Sequence, residues 1–162
     1  MTLKLKFLLT SLALVFLAFA ACSKQEPAAA APATAGPRTV ALTAGDNMKY
    51  NLTEIDATAG EQLHVTLANV GSLPKEAMGH DWVLLNAGSD AEAYDRAAIA
   101  AKDTGYQPPA LASEVLAAIP LLGPHQTGEV TFKAPLQPGQ YPFLCTFPAH
   151  YQAGMHGVLV VK

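Results

Sequence analysis

Apolar and polar residues alternate along several short stretches of the chain after residue 38. A period of two residues is typical of strands that are buried on one face, and turns rich in glycine, proline and asparagine separate the stretches. The pattern predicts seven or eight short strands, among them residues 39–43, 48–53, 63–67, 81–85, 129–132, 140–145 and 158–161. Strands of this number and spacing favour an all-β sandwich of two sheets with Greek-key connections.

One segment departs from the strand pattern. Ser89-Asp-Ala-Glu92 has the form of a capping box, and the alanine-rich stretch that follows predicts a helix from Ala91 to Lys102, with Gly105 as its stop. A loop with two prolines at 108–109 follows. We expect a short helical insertion between strands, which packs on the sandwich and covers an edge.

The first 37 residues predict export. Lys4 and Lys6 precede an apolar run at 7–19, so residues 1–21 are interpreted as a signal peptide. Two cleavage patterns are present: Ala18-Phe-Ala20 fits cleavage after small residues, whereas Phe19-Ala-Ala-Cys22 resembles a bacterial lipobox, in which Cys22 becomes the lipidated first residue. The alanine- and proline-rich residues 22–37 predict a partly extended tether, which leaves residues 38–162 as one folded domain.

The chain has two cysteines, Cys22 and Cys145. A single disulfide between them is the simplest interpretation for an exported protein. Cys22, however, lies at the cleavage junction, and Cys145 lies in a motif of potential metal ligands. We therefore expect a lipid anchor at Cys22, with the protein on the outer membrane or another surface of a bacterial cell envelope; without lipidation we expect a periplasmic protein.

The charge excludes one class of partner. The whole chain carries a net charge of −3, and without Lys4 and Lys6 there remain 8 basic and 13 acidic residues. No basic cluster occurs in the sequence, so nucleic acid is not expected to bind.

A thiol, an imidazole and a thioether lie close together near the C-terminus, at Cys145, His150 and Met155, and His80 lies 65 residues upstream. Two imidazoles, one cysteine sulfur and a weak axial methionine are the ligand set of a mononuclear blue-copper electron-transfer site. A zinc site more often includes a second cysteine or a carboxylate. The set therefore favours one copper ion, with His80 expected to come from a distant strand and to join the two sheets.

Two longer motifs surround these residues, Leu73-Pro-Lys-Glu-Ala-Met-Gly-His-Asp-Trp-Val-Leu84 and Cys145-Thr-Phe-Pro-Ala-His150. Both resemble azurin, and the resemblance extends over essentially the whole domain, including Leu121-Leu122-Gly123. Together with the lipobox, the chain is similar to the lipid-modified azurins. The resemblance implies a cupredoxin sandwich whose copper is bound by His80, Cys145, His150 and Met155, with the Gly79 carbonyl as an optional fifth, distant ligand.

Three features depart from azurin. Four residues instead of three separate His150 from Met155, a spacing that resembles auracyanin, in which the glycine carbonyl is not a strong ligand; the contact of Gly79 is therefore left open. Asp81 stands where azurin has asparagine, and an ionised carboxylate cannot donate a hydrogen bond. The disulfide of azurin has no counterpart in this chain.

Five apolar residues flank the ligands in sequence: Leu73, Pro74, Met78, Pro148 and Ala149. They are either scattered surface residues or an apolar ring around an exposed edge of His150, through which an electron leaves; we favour the ring. The other histidines, His64, His125 and His156, are interpreted as surface residues, and Trp82 as a core aromatic.

The sequence thus predicts a type 1 copper protein that transfers single electrons between redox partners, such as cytochromes, reductases or oxidases, in transient complexes at a bacterial cell envelope. An enzyme of the multicopper oxidase or nitrite reductase kind would need a second copper site, and no further His-x-His or Cys-His pair is present. The alternative is copper storage or delivery, for which sites are usually open and rich in methionine or histidine.

Overall fold

A computed structural model describes residues 36–162 of the chain. The predicted signal peptide and the predicted lipidation site at Cys22 lie outside the described residues, as does nearly all of the predicted tether. Within residues 36–162, no helix is both long enough and apolar enough to cross a membrane.

In the part of the chain that the structure describes, eight strands form two sheets. Their bounds are β1 Arg38–Ala44, β2 Glu54–Ala57, β3 Gln62–Asn69, β4 His80–Leu85, β5 Val115–Leu122, β6 Thr127–Lys133, β7 Gly139–Leu144 and β8 His156–Val161. One sheet has the strand order β1-β3-β6, and the other has the order β2-β8-β7-β4-β5. The predicted two-sheet sandwich is confirmed.

The helical insertion is present but shorter than predicted. Helix α1 spans Lys75–Met78 and helix α2 spans Ala91–Ala98, so α2 ends four residues before the predicted Lys102. The side chain of Asp90 caps α2 by accepting a hydrogen bond from the Ala93 amide. Two 3-10 helices follow at Lys102–Thr104 and Pro109–Glu114, and Gly105 ends the first with a φ of 67°.

Two strand predictions differ from the structure. Residues 48–53 form a loop with one isolated bridge, between Ala44 and Tyr50. The strand lies just after the loop, as β2 paired with β8. The sequence analysis missed β5, because Val-Leu-Ala-Ala-Ile-Pro-Leu-Leu has no polar positions to alternate with its apolar ones. The strand forms at the edge of its sheet, where the missing N–H of the exposed Pro120 is tolerated.

Strand β4 is buried on both faces, and all six of its residues are buried. One face contributes to the main core between the sheets, where Trp82 and Leu84 lie with the alternating inward residues of β1 and β3. The other face packs Val83 and Leu85 under α2, in a second cluster with Tyr94 and Leu144. Helix α2 therefore packs on the sandwich, as the sequence analysis expected, but it covers the outer face of the sheet and not an edge.

The metal-ligand candidates lie at one end of the five-stranded sheet. Strands β4 and β7 are antiparallel neighbours, with Val83 opposite Leu144. His80 begins β4 and Cys145 follows the end of β7, so antiparallel pairing brings the two residues to the same end. The expectation that His80 joins the two sheets is wrong, because both residues come from the same sheet.

Candidate metal centre

Three of the four predicted ligands form a compact, buried group. One donor atom from each of His80, Cys145 and His150 lies within 4.8 Å of the others, and the exposed fractions of these residues are 0%, 0% and 1%. The Cys145 sulfur lies 3.4 Å from Nδ1 of His150. Met155, the fourth predicted ligand, is also fully buried.

Backbone hydrogen bonds tie the C-terminal ligand residues to one another. The Cys145 amide donates to the Met155 carbonyl at 3.0 Å, and the Met155 amide donates to the His150 carbonyl at 2.9 Å. The loop therefore holds its three donor residues through its own main chain, and β4 supplies the fourth.

The surroundings of His80 and His150 are those of metal ligands and not of histidines that only fill the core. Both ring nitrogens of His80 are buried, and neither makes a hydrogen bond of good geometry to the described residues, the Gly45 backbone being a weak partner at most. Leaving a buried polar atom unpaired costs about 1–3 kcal/mol, and a metal ion would satisfy one of these nitrogens. Burial lowers the pKa of His80, although Asp46 opposes the shift. Burial, with His80 as a smaller cause, lowers the pKa of His150 to about 4. Both rings are therefore neutral at neutral pH, as ligation requires.

The cysteine behaves as a thiol that a metal would deprotonate. Burial, followed by the charge of Asp81, raises the pKa of Cys145, while the backbone N–H groups of Asp81 and Phe147 oppose the shift by hydrogen bonding to the sulfur. A buried thiolate of this kind forms when a bound metal stabilises it. Imidazole, thiolate and thioether donors suit copper, whereas magnesium and calcium prefer oxygen donors. The residues present therefore fit one copper ion.

Asp81 connects β4 to the residue that follows Cys145. Its carboxylate is fully buried and accepts hydrogen bonds from the Thr146 amide, at 2.7 Å, and from the Thr146 hydroxyl. Burial raises the pKa of Asp81 to about 6, and the bonds from Thr146 oppose that shift. Thr146 supplies both hydrogens, so the carboxylate makes both of these bonds without having to donate.

Gly79 ends α1, and packing explains its identity. A Cβ atom at this position would lie 2.7 Å from the Lys75 carbonyl oxygen, so a side chain would push α1 away from β4. This close approach accounts for the glycine whether or not its carbonyl contacts a metal.

The five apolar residues flanking the ligands differ in exposure. Leu73, Pro74 and Ala149 are exposed, whereas Met78 and Pro148 are half-buried. His150 itself is only 1% exposed. The expected exposed edge of His150 is therefore wrong: the ring is covered by protein, and any electron would cross that covering layer.

Some residues that support the site were missed by the sequence analysis. Asp46 accepts hydrogen bonds from the amides of Ser72 and Leu73 and thereby holds the segment before α1. The Tyr50 hydroxyl donates to the Asp81 carbonyl. Neither contact has a local sequence signal, because the partners are more than 25 residues apart.

The remaining histidines lie outside the donor group. His64 pairs with Glu129 at 3.2 Å on the surface, His125 is exposed with a φ of 59°, and the ring of His156 lies 4.7 Å from that of Tyr151. Trp82 is 1% exposed, as predicted for a core aromatic.

Residues 38–162 match the family of copper-binding proteins described as the plastocyanin/azurin family. Among curated proteins, the chain is 36% identical to auracyanin-B of Chloroflexus aurantiacus over 119 residues, covering 73% of this chain and 49% of auracyanin-B. It is 36% identical to azurin of Pseudomonas aeruginosa over 135 residues, covering 82% of this chain and 90% of azurin. It is 34% identical to outer membrane protein H.8 of Neisseria meningitidis over 118 residues, covering 72% of this chain and 63% of that protein.

Solved structures agree with these matches. Dithionite-reduced auracyanin from Roseiflexus castenholzii superposes with a TM-score of 0.68 at 35% identity, covering 76% of this chain and 96% of that one. The chain thus spans nearly all of this auracyanin but only about half of auracyanin-B.

Proposed function

Because the chain belongs to the plastocyanin/azurin family of copper-binding proteins, we propose that it carries single electrons between redox partners at a bacterial cell envelope. The family comprises blue-copper electron-transfer proteins and not enzymes. The observation that carries the proposal is the buried group formed by His80, Cys145 and His150, whose donor atoms lie within 4.8 Å of one another.

We assign the copper to His80, Cys145, His150 and Met155. Copper supplies the one-electron redox change at this site. The chain supplies neutral imidazoles, a buried sulfur and a loop with its own hydrogen bonds, so the donors are in place before the metal binds. Gly79 is the candidate for a fifth, distant contact, which a crystal structure of the copper-loaded protein would test.

The route for the electron is proposed to cross the apolar ring formed by Leu73, Pro74, Met78, Pro148 and Ala149. These residues flank the ligands in sequence, and Leu73 is 43% exposed. An apolar surface above a covered redox centre suits small, brief contacts with other redox proteins, such as cytochromes, reductases or oxidases.

Attachment to the membrane is proposed through a lipid on Cys22. The lipobox-like sequence before Cys22 supports this, and one relative carries the name outer membrane protein H.8. Mass spectrometry of the native N-terminus tests it, since an unmodified chain that begins at Ala21 would rule out the anchor.

The test of the copper assignment is visible spectroscopy of the protein titrated with Cu(II). We expect an intense copper–thiolate absorption at about 600 nm, which disappears in Cys145→Ser and persists in the control His125→Gln, whose histidine is exposed and outside the donor group. Copper binding without this band, or binding of Cu(I) alone, would contradict electron transfer and favour storage or delivery.

The role of the apolar ring is tested by the same substitution at two exposed leucines, one inside the ring and one outside it. Leu73→Lys should slow electron exchange with a soluble cytochrome while the absorption band and the reduction potential stay unchanged. Leu136→Lys is the matched control, because Leu136 is 81% exposed and precedes β7, at the end of that strand opposite Cys145. Equal rates for the two variants would exclude the ring as the exit.

A further inference from the structure

The four residues between His150 and Met155 form one compact turn, here named the ligand turn (residues 151–154). Within it the Gly154 amide donates to the Tyr151 carbonyl, and the Ala153 amide donates to the carbonyl of Ala149, which lies just before His150. The Met155 amide closes back on the His150 carbonyl. The position of this turn therefore sets the separation between the imidazole of His150 and the thioether of Met155.

A buried carboxylate from the helical insertion holds one side of the ligand turn. Asp95 of α2 is fully buried, and its Oδ2 accepts a hydrogen bond of 2.5 Å from Nε2 of Gln152. Tyr151, the neighbour of Gln152, packs against the cluster under the same helix. Asp95 and Gln152 are 57 positions apart in the sequence, so their hydrogen bond joins the helical insertion to the loop that carries the metal ligands.

A lysine holds the ligand turn through a second contact. Nζ of Lys49, from the loop between β1 and β2, donates to the Ala153 carbonyl. The approach is so close that a Cβ atom at Gly154 would lie 2.5 Å from Nζ. Gly154 also has a φ of 93°, which favours glycine. The turn conformation therefore disfavours a side chain at position 154, and a side chain there would also displace Nζ of Lys49 from its contact.

The burial of Asp95 is unfavourable for the fold by itself. Its Oδ1 atom is buried without a partner among the described residues, and burial raises the pKa of the carboxyl group, although the Gln152 bond opposes that shift. A leucine at this position would avoid the cost of burying a charge. Residues that break a local packing rule are expected where they serve a site. Among residues 36–162, the one hydrogen-bond partner of the Asp95 side chain is Gln152 of the ligand turn.

We propose that Asp95 and Lys49 are positioning residues for the copper centre, which fix the ligand turn and so keep His150 and Met155 in place when the metal changes its oxidation state. The proposal rests on the electron-transfer function proposed above. It assigns the helical insertion a role in the chemistry of the site, in addition to covering the sheet.

The test uses two variants that break the hydrogen bond between Asp95 and Gln152 and two variants that keep it. Asp95→Leu removes the acceptor, and Gln152→Ala removes the donor from an exposed residue, so it keeps the test open if Asp95→Leu fails to fold. Asp95→Asn retains an oxygen acceptor and should keep the ligand turn in place as in the wild type. Glu92→Gln is the matched control, because Glu92 lies on the same helix, is exposed and pairs only with Arg96 among the described residues.

The first readout is amide hydrogen exchange of the metal-free protein. Loss of one hydrogen bond should speed exchange at Ala153 and Gly154 about tenfold, with no change in the strands. The second readout is the reduction potential and the copper–thiolate band of the loaded protein, which should shift in Asp95→Leu and Gln152→Ala but not in Asp95→Asn or Glu92→Gln. Lys49→Met should act in the same direction, with the exposed Lys133→Met as its control.

Unchanged exchange and unchanged potential in both anchor-breaking variants would overturn the proposal. A uniform rise of exchange through the strands would also overturn it, since it would mean that Asp95 only stabilises the fold. A shift in Asp95→Asn as large as that in Asp95→Leu would exclude the hydrogen bond as the cause. If the wild type bound Cu(II) without a thiolate band, the proposed function would fail, while the exchange measurement would still decide whether the turn is anchored.

Discussion

The contact between Asp81 and Thr146 gives the sharpest test of how the site is built. Both residues are fully buried, and the Asp81 carboxylate accepts from the amide and from the hydroxyl of Thr146. Asp81→Ala removes both acceptors, and leaves two buried donors unpaired beside Cys145. Asp81→Asn keeps an oxygen for the amide and offers an N–H to the hydroxyl oxygen, so both contacts survive.

The magnitude follows from the two bonds. Each buried hydrogen bond contributes about 1 kcal/mol net, and each donor left unpaired adds a desolvation cost of about 1–3 kcal/mol. Relaxation of the Thr146 hydroxyl offsets part of this, so we expect Asp81→Ala to lower the free energy of unfolding by about 2–4 kcal/mol. Asp81→Asn should change it by less than about 1 kcal/mol.

The assay is urea unfolding of the metal-free protein, so that copper affinity does not enter the result. Trp82 is the one tryptophan of the sequence and is 1% exposed, so its fluorescence reports loss of the core. Thr146→Val is a useful intermediate, because it removes the hydroxyl bond but leaves the amide bond. If Asp81→Ala and Asp81→Asn cost the same, the two hydrogen bonds do not explain why a polar residue is buried here.

Three further predictions follow from single residues. Ala149 has a φ of 70°, so Ala149→Gly should raise the free energy of unfolding by about 0.5–1 kcal/mol in the same urea assay; a loss of stability would contradict strain at this position. At Gly157 a Cβ atom would collide with the Thr53 carbonyl and the Phe143 ring, so Gly157→Ala should destabilise by about 2 kcal/mol or more, whereas a neutral result in thermal unfolding would mean that β8 can move away. Burial raises the pKa of Asp95 in the folded state, so the native protein keeps the Asp95 proton to a higher pH than the unfolded chain does. The free energy of unfolding therefore falls as pH rises from the ordinary carboxyl pKa of about 4 towards the raised value. Asp95→Asn should therefore gain stability relative to wild type through that pH range, and a difference that stays constant with pH would refute the shift.

The sequence by itself determined the features that depend on neighbouring residues. The alternation of apolar and polar residues identified β1 and β3, because in each strand every second residue is buried and the residues between are exposed or half-buried. Three donor residues within one short segment identified the metal site, because a loop fixes its own members relative to one another. The identity of the donors pointed to copper, since two imidazoles, one thiolate and a weak thioether form a blue-copper ligand set, whereas a zinc site more often includes a second cysteine or a carboxylate.

Only the tertiary structure decided the features that depend on distant pairing. The sequence of β5 does not alternate between apolar and polar residues. Its place as a strand depends on pairing with β4 and on the cluster under α2. Residues 48–53 alternate as a strand does, yet they form a loop, and the strand that pairs with β8 is the segment just after them, β2. The bond from Gln152 to Asp95 spans 57 residues. Local periodicity records which side of an element is buried, but it does not record which element covers it; for that reason the ligands could be read from the sequence, and the anchors that hold them could not.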